Sequence, residues 1–132
     1  MKEDCIEVYK KFASDDLCDE LISLTDKYLL MEGSKTHCKE NSDNRKDFQI
    51  LLDWVEDSPH NYSDKVRNVL NNAMGNYRDK YRILLEGFNY ISYRIKLQKT
   101  PIGGGFHNWH CENAAGDHSD RVLVWTIYLN SL

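Results

Sequence analysis

The sequence predicts an α+β fold, because its apolar pattern changes period once, near Gly87. Through residues 1–88 apolar side chains recur mainly at helical spacing, whereas over 89–132 they alternate as in strands. Pro101 and the glycines from Gly103 to Gly105 divide the second part into two strand-like stretches. The 132 residues amount to one domain, long enough for a single sizeable core.

Ile6-Glu7-Val8-Tyr9 alternates briefly and reads as a short strand. Ser14, ahead of Asp15 and Asp16, has the chemistry of a helix N-cap followed by acids in the first turn. Leu17, Leu21, Leu24 and Tyr28 then follow at helical spacing, with Ile22 and Leu29 widening the stripe and Gly33 closing the helix. Residues 33–46 are polar and read as a surface loop. Phe48, Leu51, Leu52 and Val55 fit a helical face, but the segment is short enough to pair as a strand, so both readings stand. Ser63 is read as the cap of a longer helix whose stripe runs Val66, Val69, Leu70, Ala73, Tyr77, Tyr81 and Leu84, with Gly87 as its stop. Gly75 inside that helix disfavours it by roughly 1 kcal/mol relative to alanine.

Beyond Gly87, Ile91, Tyr93, Ile95 and Leu97 alternate with Ser92, Arg94, Lys96 and Gln98, as in a half-buried strand. Arg121 to Asn130 is apolar on both faces: Val122, Val124, Thr126 and Tyr128 on one, Leu123, Trp125, Ile127 and Leu129 on the other. That pattern predicts a strand covered on both sides.

Composition narrows the function classes. A net charge of -4 and a pI near 5.7, with no basic block interleaved with aromatics, argue against a nucleic-acid surface. Cys5, Cys18, Cys38 and Cys111 stand at irregular spacings without a C-x-x-C pair, which fits free thiols in a reducing compartment. The charged start, Met1-Lys2-Glu3-Asp4, leads into no apolar signal region, and no run approaches the roughly 18 apolar residues that span a bilayer. A cytoplasmic protein is expected.

The stretch that carries chemistry is Gly103 to Asn113, with His107, His110, Cys111 and Glu112 inside it. In extended backbone, residues two apart share a face, so His110 and Glu112 would offer an imidazole nitrogen and a carboxylate oxygen to one ion. Two histidines and a carboxylate on one face of an octahedral metal leave positions open, the arrangement of non-haem iron(II) oxygenases. An isolated H-x-E or glycine triplet arises often by chance; the flanking strands give this one its context. Zinc bound by His107, His110, Cys111 and Glu112 is disfavoured, because adjacent Cys111 and Glu112 face opposite ways on a strand.

Phe106-His107-Asn108-Trp109-His110-Cys111-Glu112, followed by Arg121-Val-Leu-Val-Trp-Thr-Ile-Tyr128-Leu129-Asn130, resembles the prolyl 4-hydroxylase-like branch of the 2-oxoglutarate- and iron(II)-dependent oxygenases, and more closely its phage and bacterial members. Phe12 to Ile22 is similar to the helix that opens that domain. The resemblance implies a double-stranded β-helix, or jelly roll, of which this chain carries the first part: mainly helical support over 1–88 and the first strands, with the H-x-E motif, over 89–132. It places His110 and Glu112 on the first two iron ligands, with Glu112 where most relatives carry aspartate. It aligns Tyr128 with the tyrosine that reaches the far carboxylate of 2-oxoglutarate; as a residue on a buried strand Tyr128 would also simply pack. The family's distal histidine and following basic residue lie several strands further on, and no matching segment occurs before Leu132. His37, His60, His107 and His118 do not replace them by spacing.

Two functions follow as expectations. One is a dioxygenase that uses iron(II) and 2-oxoglutarate, with ascorbate as reductant, to hydroxylate a prolyl or other peptide side chain. The other is an inactive or split half-domain acting as an interaction fragment, completed by a second polypeptide or another copy pairing on the open sheet edge. No nucleic-acid or membrane partner is expected.

Overall fold

The computed structural model describes residues 5–29, 45–55, 61–82, 86–87, 89–92, 94–106, 109–111, 113, 116 and 119–130. Among these residues two helices pack beside short antiparallel strand pairs, an α+β arrangement. The first helix, α1 (Asp15–Leu29), starts where its cap chemistry places it. The Ser14 hydroxyl accepts from the Leu17 amide at 3.3 Å, and the Ser14 carbonyl accepts from the Cys18 amide at 3.1 Å. Asp15 and Asp16 in the first turn and Lys27 in the last complement the helix dipole. Leu17, Leu21 and Leu24 are buried and Tyr28 packs against them, as the spacing predicts. Thr25 is buried with them because its hydroxyl donates back to the Leu21 carbonyl at 2.9 Å. Gly33, the expected stop, lies outside the described residues.

The ambiguous segment from Phe48 is extended as far as Leu51, and Arg45–Lys46, at the end of the expected surface loop, is a strand as well because Gly105–Phe106 offers it a partner. Strand β1 (Arg45–Lys46) and strand β2 (Phe48–Leu51) follow each other closely and end in a single 3-10 turn, Leu52–Trp54. Their partners lie far along the chain. Strand β3 (Lys96–Lys99) runs antiparallel to β2 with Ile50 opposite Leu97, and strand β4 (Gly105–Phe106) pairs with β1. The Leu52 amide donates to the Ile95 carbonyl at 3.0 Å and prolongs the pairing. Ile50, Leu52, Ile95 and Leu97 thereby join the α1 leucines and Val66 in one core. The predicted strand beginning at Ile91 is therefore shorter: Ile91 is 73% exposed, and the ladder starts only at Lys96. Ile6 to Tyr9 forms no strand either.

The second helix, α2 (Tyr62–Lys80), is capped by Asn61 rather than by Ser63. Asn61 takes the left-handed conformation that asparagine tolerates, and its side-chain oxygen accepts from the Asp64 amide at 3.3 Å. Ser63 sits inside the first turn. The helix ends at Lys80, with Tyr81 as C-cap, well before Gly87. Of its residues only Val66 is buried; Tyr62 and Val69 are partly covered by the core. Polar contacts hold α2 to the rest: Lys65 to Glu20 of α1 at 2.6 Å, and Arg67 to Asp53 at 2.7 Å. Burial pushes the Asp53 carboxyl up, but hydrogen bonds from Arg67, Ser63 and the Ile95 amide outweigh it and hold the group below the usual carboxylate value.

An alanine methyl at Gly75 would meet nothing within 4 Å, and the position lies mid-helix. Gly75→Ala is expected to stabilise the fold by about 1 kcal/mol, read as a rise of a few degrees in the thermal midpoint by circular dichroism. No gain would show that α2 contributes little to the cooperative unit. No helix among the described residues is long and apolar enough to cross a membrane.

Candidate functional site

Every candidate position lies in or after the turn that separates β3 from β4. Residues 100–104 on that side face a single residue, Asp47, between β1 and β2. The excess chain folds into a tight turn in which the Gly104 amide donates to the Pro101 carbonyl at 2.8 Å. Gly103 takes a φ of 72°, the positive value that the third position of a type II turn demands. A Cβ there would touch nothing within 4 Å, so the glycine serves backbone conformation and not close approach to a site. Asp47 is 5% exposed. Gln49 donates to one of its oxygens at 3.1 Å and Gln98, the cross-strand neighbour of Gln49, to the other at 2.7 Å. This buried carboxylate anchors the base of the turn. No sequence pattern had marked it, since Asp47 falls between the expected loop, 33–46, and the ambiguous segment from Phe48.

From the turn the chain runs through β4 to Trp109, His110 and Cys111, all three exposed and none in a helix or a strand ladder. Trp109 is fully exposed, and the Cys111 thiol donates weakly to the Asn113 carbonyl at 3.9 Å. Glu112, the second expected metal ligand, lies outside the described residues, as do His37, His60, His107 and His118. Among the described residues no three His, Cys, Asp or Glu side chains stand together as a metal would require. A facial triad needs two histidines and a carboxylate; His110 alone of such a set is described, so no reaction step is derived through an ion there.

The last described segment, residues 121–130, is extended and alternates in burial. Trp125, Ile127 and Leu129 pack against the core, and Leu123, in phase with them, is half-buried. Val122 is 72%, Val124 67% and Tyr128 75% exposed. The expected strand covered on both faces is thus covered on one, and among the described residues it joins no ladder. Tyr128 stands on the open face and makes no hydrogen bond among the described residues. His110 and Tyr128 are both solvent-facing, and no contact between them is described. No family model, curated protein or solved structure matches the chain.

Proposed function

We propose that the chain is the opening part of a non-haem iron(II)- and 2-oxoglutarate-dependent oxygenase domain of the prolyl 4-hydroxylase-like kind, with His110 and Glu112 toward the metal and Tyr128 toward the cosubstrate. The motif around His110 and the Arg121–Asn130 stretch motivate the reading. One observation of the fold supports it: residues 121–130 lay Trp125, Ile127 and Leu129 against the core and turn Val122, Val124, Thr126 and Tyr128 outward. A jelly-roll strand backed by helices divides in the same way, with its outer side chains on the support and its inner ones facing the cavity that further strands enclose. Tyr128 then stands on the cavity side. Bound iron(II) would supply dioxygen activation, coupling decarboxylation of 2-oxoglutarate to hydroxylation of a substrate C–H bond. This chain's own contribution would be two metal ligands, His110 and Glu112, and one carboxylate-binding hydroxyl, that of Tyr128.

The test is metal binding by the purified chain, followed by titration with cobalt(II) as a spectroscopic stand-in for iron(II). One equivalent of metal is expected, with affinity falling at least ~10-fold in both His110→Ala and Glu112→Ala, since even groups supporting such ligands are worth 10–100-fold. Equal binding by the three proteins would remove the iron assignment. Turnover of 2-oxoglutarate to succinate, with iron(II) and ascorbate added, tests the activity separately.

A second reading has its own observation. The uncovered row of Val122, Val124 and Tyr128, on extended backbone that joins no ladder among the described residues, is the surface that an interaction fragment would present to a complementing chain. Metal binding without succinate formation, restored when a complementing polypeptide is supplied, would favour it.

A further inference from the structure

Residues 5–12 form no helix or strand and lie along the last turns of α2. Their alternation is inverted. Ile6 and Val8 are 71% and 78% exposed, while Glu7 and Tyr9 are half-buried. Polar groups do the attaching: the Tyr77 hydroxyl donates to the Cys5 carbonyl at 2.8 Å, the Tyr81 hydroxyl donates to the Glu7 carboxylate at 2.7 Å, and the Lys80 ammonium donates to the same Glu7 oxygen. The hydrogen bond from Lys80, then that from Tyr81, keeps the Glu7 carboxyl below its ordinary range, so the acceptor is charged at neutral pH. Cys5 and Lys11 bracket the segment in left-handed conformations, with φ of 56° and 58°, which a side chain with a Cβ disfavours. None of these residues belongs to the core cluster. Beneath the segment, the Tyr77 and Tyr81 rings lie 4.6 Å apart, and Tyr81 is 5% exposed although it too stands outside that cluster.

We propose that residues 5–12 are a releasable strap, latched by Glu7 onto the end of α2, which opens while the core stays folded and thereby bares the Tyr77–Tyr81 pair. The physical reason is an imbalance. The hydrogen bonds described for the strap gather at the Glu7 carboxylate and the Cys5 carbonyl, the exposed Ile6 and Val8 side chains bury little apolar surface, and two backbone positions are held in disfavoured geometry. Local opening of such a segment needs far less than global unfolding, because among the described residues the strap supplies no member of the core cluster.

Thermolysin, which cuts before large apolar residues, reads the opening at Ile6, Val8 and Phe12, with fragments assigned by mass. Glu7→Gln and Lys80→Met are each expected to raise the cleavage rate within the strap roughly 3–10-fold, the factor that a net hydrogen bond is worth, with the thermal midpoint unchanged. The double variant is expected to be cut no faster than the faster single one, since both remove the same contact. Tyr81→Phe deletes one latch hydroxyl with minimal change of volume and gives a smaller increase in the same direction, which keeps the test decisive should Glu7→Gln fail to fold. Cleavage at the wild-type rate in these variants overturns the latch. A midpoint that falls in step with faster cleavage overturns release, because the strap would then open only with the whole domain.

Discussion

Leu21→Ala is expected to destabilise the protein by about 3 kcal/mol, within the range that truncation of a buried leucine produces. Leu21 is 3% exposed and sits at the centre of the α1 stripe, with Leu17 on the preceding turn and Leu24 on the next. The value is set by two opposing effects. The deleted methyl groups lose their transfer free energy, and the vacated space adds to that loss in proportion to the volume left open. Partial collapse offsets some of it, because the core is shallow: among the described residues no side chain is less than 2% exposed. Against a usual total of roughly 5–15 kcal/mol, such a loss is a large fraction. Urea denaturation followed by tryptophan fluorescence should show a lower midpoint with an unchanged slope. Val8→Ala, at a position 78% exposed, is the control and should shift stability by no more than about 0.5 kcal/mol. Equal effects of the two substitutions would mean that α1 does not anchor the core.

The parts of this fold legible in the sequence are those governed by local chemistry. Helix α1 was legible at its start and along its body: a serine cap, two acids, then leucines spaced to share a face, each interaction lying within a few residues. Helix α2 was legible in its body but not at its ends. Asn61 and Ser63 are both good caps, and only the left-handed backbone at Asn61 decides between them. Its apolar stripe overstated burial, since Val69, Leu70, Ala73 and Tyr77 are only half-covered and, among the described residues of the stripe, Val66 and the C-cap Tyr81 are buried. The strands were harder for a different reason. β2 and β3 are separated by the whole of α2, so what makes Phe48–Leu51 a strand is a partner more than forty residues away. Periodicity in a short segment cannot register that. The inverted strap is the sharpest failure of the alternation rule: Ile6 and Val8 face out because Glu7 finds Lys80 and Tyr81, a pairing no local pattern encodes.

The candidate site divides along the same line. Pro101 and Gly103 announced a turn, and a turn is there. The period-two reading of residues 121–130 put Val122, Val124, Thr126 and Tyr128 on one face and Leu123, Trp125, Ile127 and Leu129 on the other, and the burial pattern separates the same two sets. What the alternation could not give is which face would be covered, because that depends on how the segment meets the core cluster. Nor could the H-x-E spacing show convergence on an ion: His110 is exposed, and its expected partner Glu112 lies outside the described residues. Asp47 was missed altogether, although its carboxylate ties the turn to the sheet.

That carboxylate makes the second large prediction. Asp47→Ala is expected to cost about 2–3 kcal/mol, because two charge-assisted hydrogen bonds vanish together, from Gln49 at 3.1 Å and Gln98 at 2.7 Å. The expected loss stays below the sum of two such bonds, since Gln98 is an exposed residue and its amide regains water when released. Burying a charge also has a desolvation penalty, which the substitution relieves and which trims the loss further. Asp47→Asn separates charge from geometry. An asparagine keeps one acceptor and meets one glutamine with an N–H, which that glutamine accommodates by rotating its own amide to present oxygen, so roughly 1 kcal/mol is expected to be lost. The two variants should differ in a second observable: with alanine, amide exchange at Gly104, whose N–H is held by Pro101, should accelerate as the turn loses its footing, whereas with asparagine it should stay near the wild-type rate. If alanine and asparagine prove equally mild, the clamp is a consequence of the β2–β3 pairing and not one of its causes, and the turn that leads the chain toward His110 is held by the strands alone.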